Sequence, residues 1–127
     1  MILLDTHVVI WAAEGVPRLG PRTRSTIAQS RTKYVSAVTH AELAIKAALS
    51  KLRVPQDLPQ RLASGGFDPL PLSAEHAEGM RSFPELLGHD PFNRMLVAQA
   101  YVDGLTLLTA DTRLLDLDRP WIIDATT

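Results

Sequence analysis

The sequence has 127 residues, 13 of them Lys or Arg and 14 Asp or Glu, and 46% are hydrophobic; this is the profile of one compact domain, residues 1–127, with enough chain to bury its own core. Cysteine is absent, which excludes disulfide frameworks, thiolate zinc sites and thiol nucleophiles and suits a reducing cytoplasm. The formal net charge of -1 excludes bulk polyelectrolyte behaviour, yet residues 1–64 hold nine basic and four acidic residues and residues 65–127 four and ten, an asymmetry that suits a polyanion on one side and a metal or basic partner on the other.

In chain order, Ile2 to Leu4 reads as a buried strand ended by Asp5-Thr6-His7, and a short apolar helix from Val8 to about Ala13 is broken by Gly15 and Pro17. The apolar start meets a charge at Asp5, and no later run nears the roughly 18 apolar residues a bilayer span requires, so membrane insertion and secretion are not expected. A second helix is predicted over residues 21–30 and a strand at Tyr34-Val35-Ser36. Residues 39–52 read as a helix because Val38, Ala41, Ile45, Ala48 and Leu52 recur at three- and four-residue intervals.

A short helix is expected over 56–63, a proline-interrupted strand over 67–72, and a helix capped by Ser73 running to about Arg81. The segment from Asp90-Pro91 to about Val102 is the most apolar helix, expected to be buried on nearly all sides. Strand 106–109, a short helix over 113–117 and strand 121–123 complete the chain. Strands alternating with helices imply an α/β fold built from βαβ units, a twisted and mainly parallel sheet with helices on both faces.

In such a sheet right-handed crossovers place every strand-to-helix junction on one edge. Asp5, Glu42, Asp90 and Asp111 all stand at or just after such junctions, so four carboxylates from distant stretches converge on one cleft. Each also has a plainer reading. Asp5, Asp90 and Asp111 suit N-caps, with Pro91 at a first helical position, and Thr39-x-x-Glu42 matches a capping box. Clustered carboxylates nevertheless repel one another unless protons or a hard cation compensate them. Magnesium or manganese does so through oxygen ligands and can promote phosphodiester hydrolysis.

A phosphatase or phosphotransferase of the haloacid dehalogenase type also carries an Asp after its first strand, but it wants a second Asp where His7 stands and a late lysine, and no lysine follows Lys51. A receiver-like phosphoacceptor lacks the same lysine. Thr6 and Ser36 sit where a hydroxyl could orient Asp5 or a metal-bound water. His7 and His40 could touch substrate. Arg18, Arg22, Arg24 and Arg31 could form a diffuse phosphate-binding lip, while Asp116 and Asp118 are expected to face solvent.

Four ordered blocks carry a family resemblance: Leu3-Leu4-Asp5-Thr6-His7; Val35-Ser36-Ala37 leading to Ala41-Glu42-Leu43-Ala44-Ile45-Lys46; Asp90-Pro91-Phe92-Asn93-Arg94 continuing to Ala100; and Gly104 to Asp111. Together they resemble the PIN-domain family over almost the whole chain, and more narrowly the VapC-type toxins of bacterial toxin-antitoxin pairs. The resemblance implies a PIN-like three-layer fold and an endoribonuclease using Mg2+ or Mn2+. It also implies a homodimer that a small antitoxin neutralises. It carries the family acids onto Asp5, Glu42 and Asp111.

The third acid is where this chain departs. Related sequences commonly read Asp-Pro-Phe-Asp-Arg, and the second Asp of that run is Asn93 here. Asp90, three residues earlier, shares a helix face with that position. It is therefore assigned as the third acid and, with Asp5, as a metal ligand, Asn93 assisting through its amide oxygen. Asn93 also keeps open a second reading, a PIN-like binding module with impaired catalysis that acts through antitoxin or dimer contacts.

Overall fold

The computed structural model describes residues 1–127. Five strands, β1 (Ile2–Leu4), β2 (Lys33–Ser36), β3 (Asp68–Leu70), β4 (Thr106–Thr109) and β5 (Ile122–Asp124), form one sheet in the order β3-β2-β1-β4-β5. Every neighbouring pair is parallel. Seven helices connect them: α1 (Thr6–Glu14), α2 (Pro21–Gln29), α3 (Ala37–Ala48), α4 (Leu58–Ser64), α5 (Ala74–Gly79), α6 (Pro91–Asp103) and α7 (Thr112–Leu115). No helix is long and apolar enough to cross a membrane.

The two-residue period of a strand sends alternate side chains to opposite faces, and the core divides accordingly. Ile2, Leu4, Val35 and Leu108 join Val8 and Val9 of α1, Ile27 of α2 and Leu58 and Leu62 of α4 in one apolar cluster. Leu3 and Leu107 point the other way, against Leu96, Val97 and Ala100 of α6, Leu114 of α7 and Leu86. Helices thus cover both faces, the three-layer α/β architecture expected from the alternation of strands and helices. α3 serves both layers, Leu43 in the first cluster and Val38 in the second.

Several boundaries differ from the sequence expectation, each for a local reason. α1 starts at Thr6 because Asp5 accepts the Val8 amide and acts as its N-cap, and it stops at Gly15, which takes the left-handed conformation (φ 66°). α3 starts at Ala37 and not Thr39, since the Ser36 hydroxyl accepts the Val38 amide. The Thr39–Glu42 capping box therefore does not form. α3 also ends at Ala48, before Leu52.

β3 is trimmed to three residues by its prolines; Pro69 is tolerated because β3 is an edge strand paired only to β2. The helix after Ser73 gives way at Gly79 to a 3₁₀ turn, Met80–Ser82, and a second such turn, Pro84–Leu86, was not foreseen. In α6 only the run Leu96–Ala100 is fully buried, and Tyr101 is about half exposed.

Candidate active site

The register of the sheet builds the site. Leu4 pairs with Leu108, so the next residues of the two strands, Asp5 and Thr109, stand side by side at the same edge, and the Asp5 amide donates to the Leu108 carbonyl at 3.0 Å. The Thr109 hydroxyl donates to Asp5 Oδ2 and accepts the Asp111 amide at 3.0 Å, while Asp5 Oδ1 accepts the Val8 amide at 3.1 Å. Asp5 is 3% exposed. Burial pushes its carboxyl above the usual carboxylate range, and the Asp111 charge adds to this; the Thr109 and Val8 hydrogen bonds and His7 act in the opposite direction.

Glu42 is equally buried, at 2%. Thr6 donates to its Oε1 at 2.5 Å and Lys46, one turn later on α3, approaches its Oε2 at 2.5 Å. Nearer the rim, Asp90 Oδ1 accepts the Phe92 and Asn93 amides at 2.8 and 3.3 Å, capping α6. Asp111 Oδ1 caps α7 through Arg113 and Leu114, and its Oδ2 receives Asn93 Nδ2 at 2.8 Å and faces His89 Nε2 at 3.2 Å. Asp5, Glu42, Asp90, Asn93 and Asp111 all line one cleft of about 370 Å³. The helix-cap readings of Asp5, Asp90 and Asp111 are correct as far as they go, because the same carboxylates both cap and converge.

The two hydroxyls expected beside Asp5 have other partners. Thr6 is turned to Glu42 and lies 3.3 Å from the Thr39 hydroxyl, so it does not orient Asp5. Ser36 is fully buried, donating to Gln99 Oε1 at 2.6 Å and capping α3, and does not line the cleft. The hydroxyl on Asp5 belongs to Thr109.

The arginine lip is also narrower than expected. Arg18 reaches the cleft, its guanidinium 5.0 Å from the Trp11 ring centre, whereas Arg24 spends its donors on the Leu19 and Val16 carbonyls at 2.8 Å. Arg22 and Arg31 do not line the cleft. His7 lines it and His40 does not, and Asp116 and Asp118 are exposed as expected.

Lys46, His89 and Trp11 line the cleft without having been singled out. Their signals were present: Lys46 follows Glu42, and Trp11 follows His7, at the four-residue spacing that shares a helix face, and His89 adjoins Asp90.

The donor chemistry fits a hard divalent cation, with carboxylate oxygens, an amide oxygen and no sulfur around one cleft. Asp90 Oδ2 and Asn93 Oδ1 accept no hydrogen bond within the chain, which leaves them open as ligands. Three or more acidic or imidazole groups are not, however, gathered into a ready-made cage.

Residues 2–120 match the model of the PIN domain. The chain belongs to the PIN domain family. No curated protein matches the sequence.

Among solved structures, this PIN domain is similar in fold to a chain of a toxin-antitoxin complex from Klebsiella pneumoniae, at TM-score 0.68 and 20% identity over 98% of each chain. It is similar also to a chain of VapBC2 from Rickettsia felis bound to a DNA fragment from their promoter, at TM-score 0.66 and 20% identity over 97% of this chain and 96% of that one. A chain of FitAcB from Neisseria gonorrhoeae aligns at TM-score 0.58 and 26% identity, over 97% of this chain and 100% of the other.

Proposed function

We propose that this PIN domain is a divalent-metal-dependent endoribonuclease and the toxin of a toxin-antitoxin pair. The observation that carries the reading is the convergence of Asp5, Glu42, Asp90 and Asp111, from four separate segments, on one cleft whose only large apolar lining residue is Trp11. A cleft so acidic repels a polyanion unless a cation intervenes. In this reading Asp5 and Asp90 hold Mg2+ or Mn2+, with Asn93 as a neutral oxygen donor, and the ion when bound supplies charge neutralisation and a more acidic water.

The residues of the chain supply the rest. Glu42, its Oε1 fixed by Thr6, accepts the proton of the attacking water as the new P–O bond forms and one bridging P–O bond breaks. Asp111 holds Asn93 in place, and Thr109 holds Asp5.

The toxin assignment rests on the likeness to chains of toxin-antitoxin complexes together with the sequence blocks. It implies a small antitoxin placing a basic side chain among the acids, a homodimer and a cytoplasmic setting. A second reading, a PIN domain of impaired catalysis that acts through antitoxin or dimer contacts, draws on Asn93 and on the lack of a ready-made metal cage.

The deciding experiment is cleavage of single-stranded RNA by purified protein with Mg2+ or Mn2+ and with chelator, alongside Glu42→Gln. Metal-dependent cleavage lost in Glu42→Gln supports the enzyme. Chelator-resistant cleavage refutes the metal role, and absent cleavage with intact antitoxin binding favours the binding module. Co-expression with the neighbouring gene product tests the partner: a stable complex that suppresses toxicity is expected.

A further inference from the structure

Lys46 has no part in the hydrolysis just described, yet it is the only lysine or arginine within 4.0 Å of any of the four cleft acids. Its Nζ lies 2.5 Å from Glu42 Oε2, and its side chain is 28% exposed where that of Glu42 is 3%. The ammonium therefore stands between a buried carboxylate and the open cleft, which it lines. Glu-to-Lys pairs at this spacing are common braces on exposed helix faces, where neither partner is buried and the gain is small. This pair differs because one member is sequestered and the other is left at the opening.

An ammonium carries three N–H donors. Glu42 takes one, and Nζ forms no other hydrogen bond in the chain, so two remain for a partner entering the cleft. The entering group must be an acceptor, and negative charge suits the ammonium best. Arg18 is the other permanent cation lining the cleft, but it is stacked over Trp11 and pairs with none of the acids.

We infer that Lys46 contacts substrate, its ammonium bridging Glu42 Oε2 to a phosphate oxygen of the RNA. This deepens the ribonuclease reading and rests on it. The bridge places the proton-accepting Glu42 within one side chain of the phosphodiester backbone and offsets part of the repulsion between that backbone and the acids. Loss of Lys46 then weakens RNA binding itself, which a mere brace for Glu42 would not do.

The test is salt-dependent binding of a labelled single-stranded oligoribonucleotide, in chelator and on an Asp5→Asn background, so that no turnover occurs and every variant carries the same change. Each phosphate contact to a single strand contributes about 0.7 to the slope of log affinity against log salt. Lys46→Gln should lower the slope magnitude by about 0.7 and weaken binding roughly fivefold at low salt, while Lys46→Arg keeps the slope. If Lys46→Gln does not fold, Lys46→Met, similar in length and uncharged, replaces it.

An unchanged slope in the uncharged variant, with wild-type cleavage intact, overturns the inference and leaves the ribonuclease reading standing. So does the absence of measurable binding in this background while the wild type cleaves. Failure of the wild type to bind or cleave any RNA overturns both.

Discussion

The two halves of the cleft hold their acids in different balances, although Asp5, like the outer pair, also caps a helix through the Val8 amide. Asp5 and Glu42 are buried to within 3% of full enclosure and lean on side chains, Thr109, Thr6 and Lys46, that reach them from other segments or the next helical turn. Asp90 and Asp111 stand nearer the rim and accept the first free amides of the helices they begin. In the inner half the carboxylate is a burden that its neighbours compensate. In the outer half the same chemical group stabilises the fold, since an N-cap satisfies amides that have no partner within the helix. Negative charge in one cleft can therefore work against folding at one position and for it at another.

Substitutions that keep shape and remove charge should separate the halves. The largest effects are expected in the inner half on activity: Glu42→Gln should lower RNA cleavage by about 10²- to 10⁴-fold, the range for losing a positioned proton acceptor, with little change in melting temperature. A large drop in melting temperature with cleavage retained would reverse the roles of the two halves.

Asp5→Asn should abolish cleavage and yet raise the melting temperature at neutral pH. The sign follows from the raised carboxyl of Asp5. The folded state holds the Asp5 proton where the unfolded state has released it, so this residue's contribution falls as pH rises from the unfolded carboxylate range through the raised folded value. Above that window the penalty is full and constant. Urea melts of both proteins across pH should show the gap opening over this window, and parallel curves would contradict it.

In the outer half, Asp90→Ala should destabilise by about 1 kcal/mol through loss of the cap. Asp90→Asn retains a capping oxygen and should leave stability nearly unchanged while weakening Mn2+ binding, measured by calorimetric titration. If Asp90→Asn binds Mn2+ as the wild type does while Asn93→Ala does not, Asp90 is a helix cap only and Asn93 is the ligand.

The smallest effect on metal binding is expected from Asn93→Asp. It replaces the amide that donates to Asp111 at 2.8 Å with a like charge, so the metal-free protein should melt a few degrees lower, and Mn2+ should restore more than it adds to the wild type. Equal Mn2+ shifts in both proteins would place Asn93 outside the metal site.

Much of this was legible in the sequence because the cleft follows from topology. Once residues 2–4, 34–36 and 106–109 read as strands of one parallel sheet, the acids after them had to share an edge. The Asp caps were legible for a related reason: a carboxylate before a proline or an apolar helical run has a local use whatever else it does. What the sequence did not resolve was partner choice among hydroxyls. Ser36 and Thr39 both precede apolar helical positions, and which one caps α3 depends on where β2 releases the chain. Thr6 and Thr109 both adjoin Asp5, one along the chain and one across the sheet, and only the register of β1 with β4 shows that Thr109 takes it.

That register has a consequence for how the protein comes into being. β1 precedes its neighbour β4 by about a hundred residues, so the middle of the sheet is closed by a long-range contact. Such long-range closure is slow to nucleate. A growing chain that has not reached Thr106 leaves β1 as an open edge, with Asp5 lacking both Thr109 and Asp111, and an edge of that kind invites misassembly. The acidic centre is thus completed late in synthesis, and a chain that stops short of Thr106 holds Asp5, Glu42 and Asp90 without Asp111.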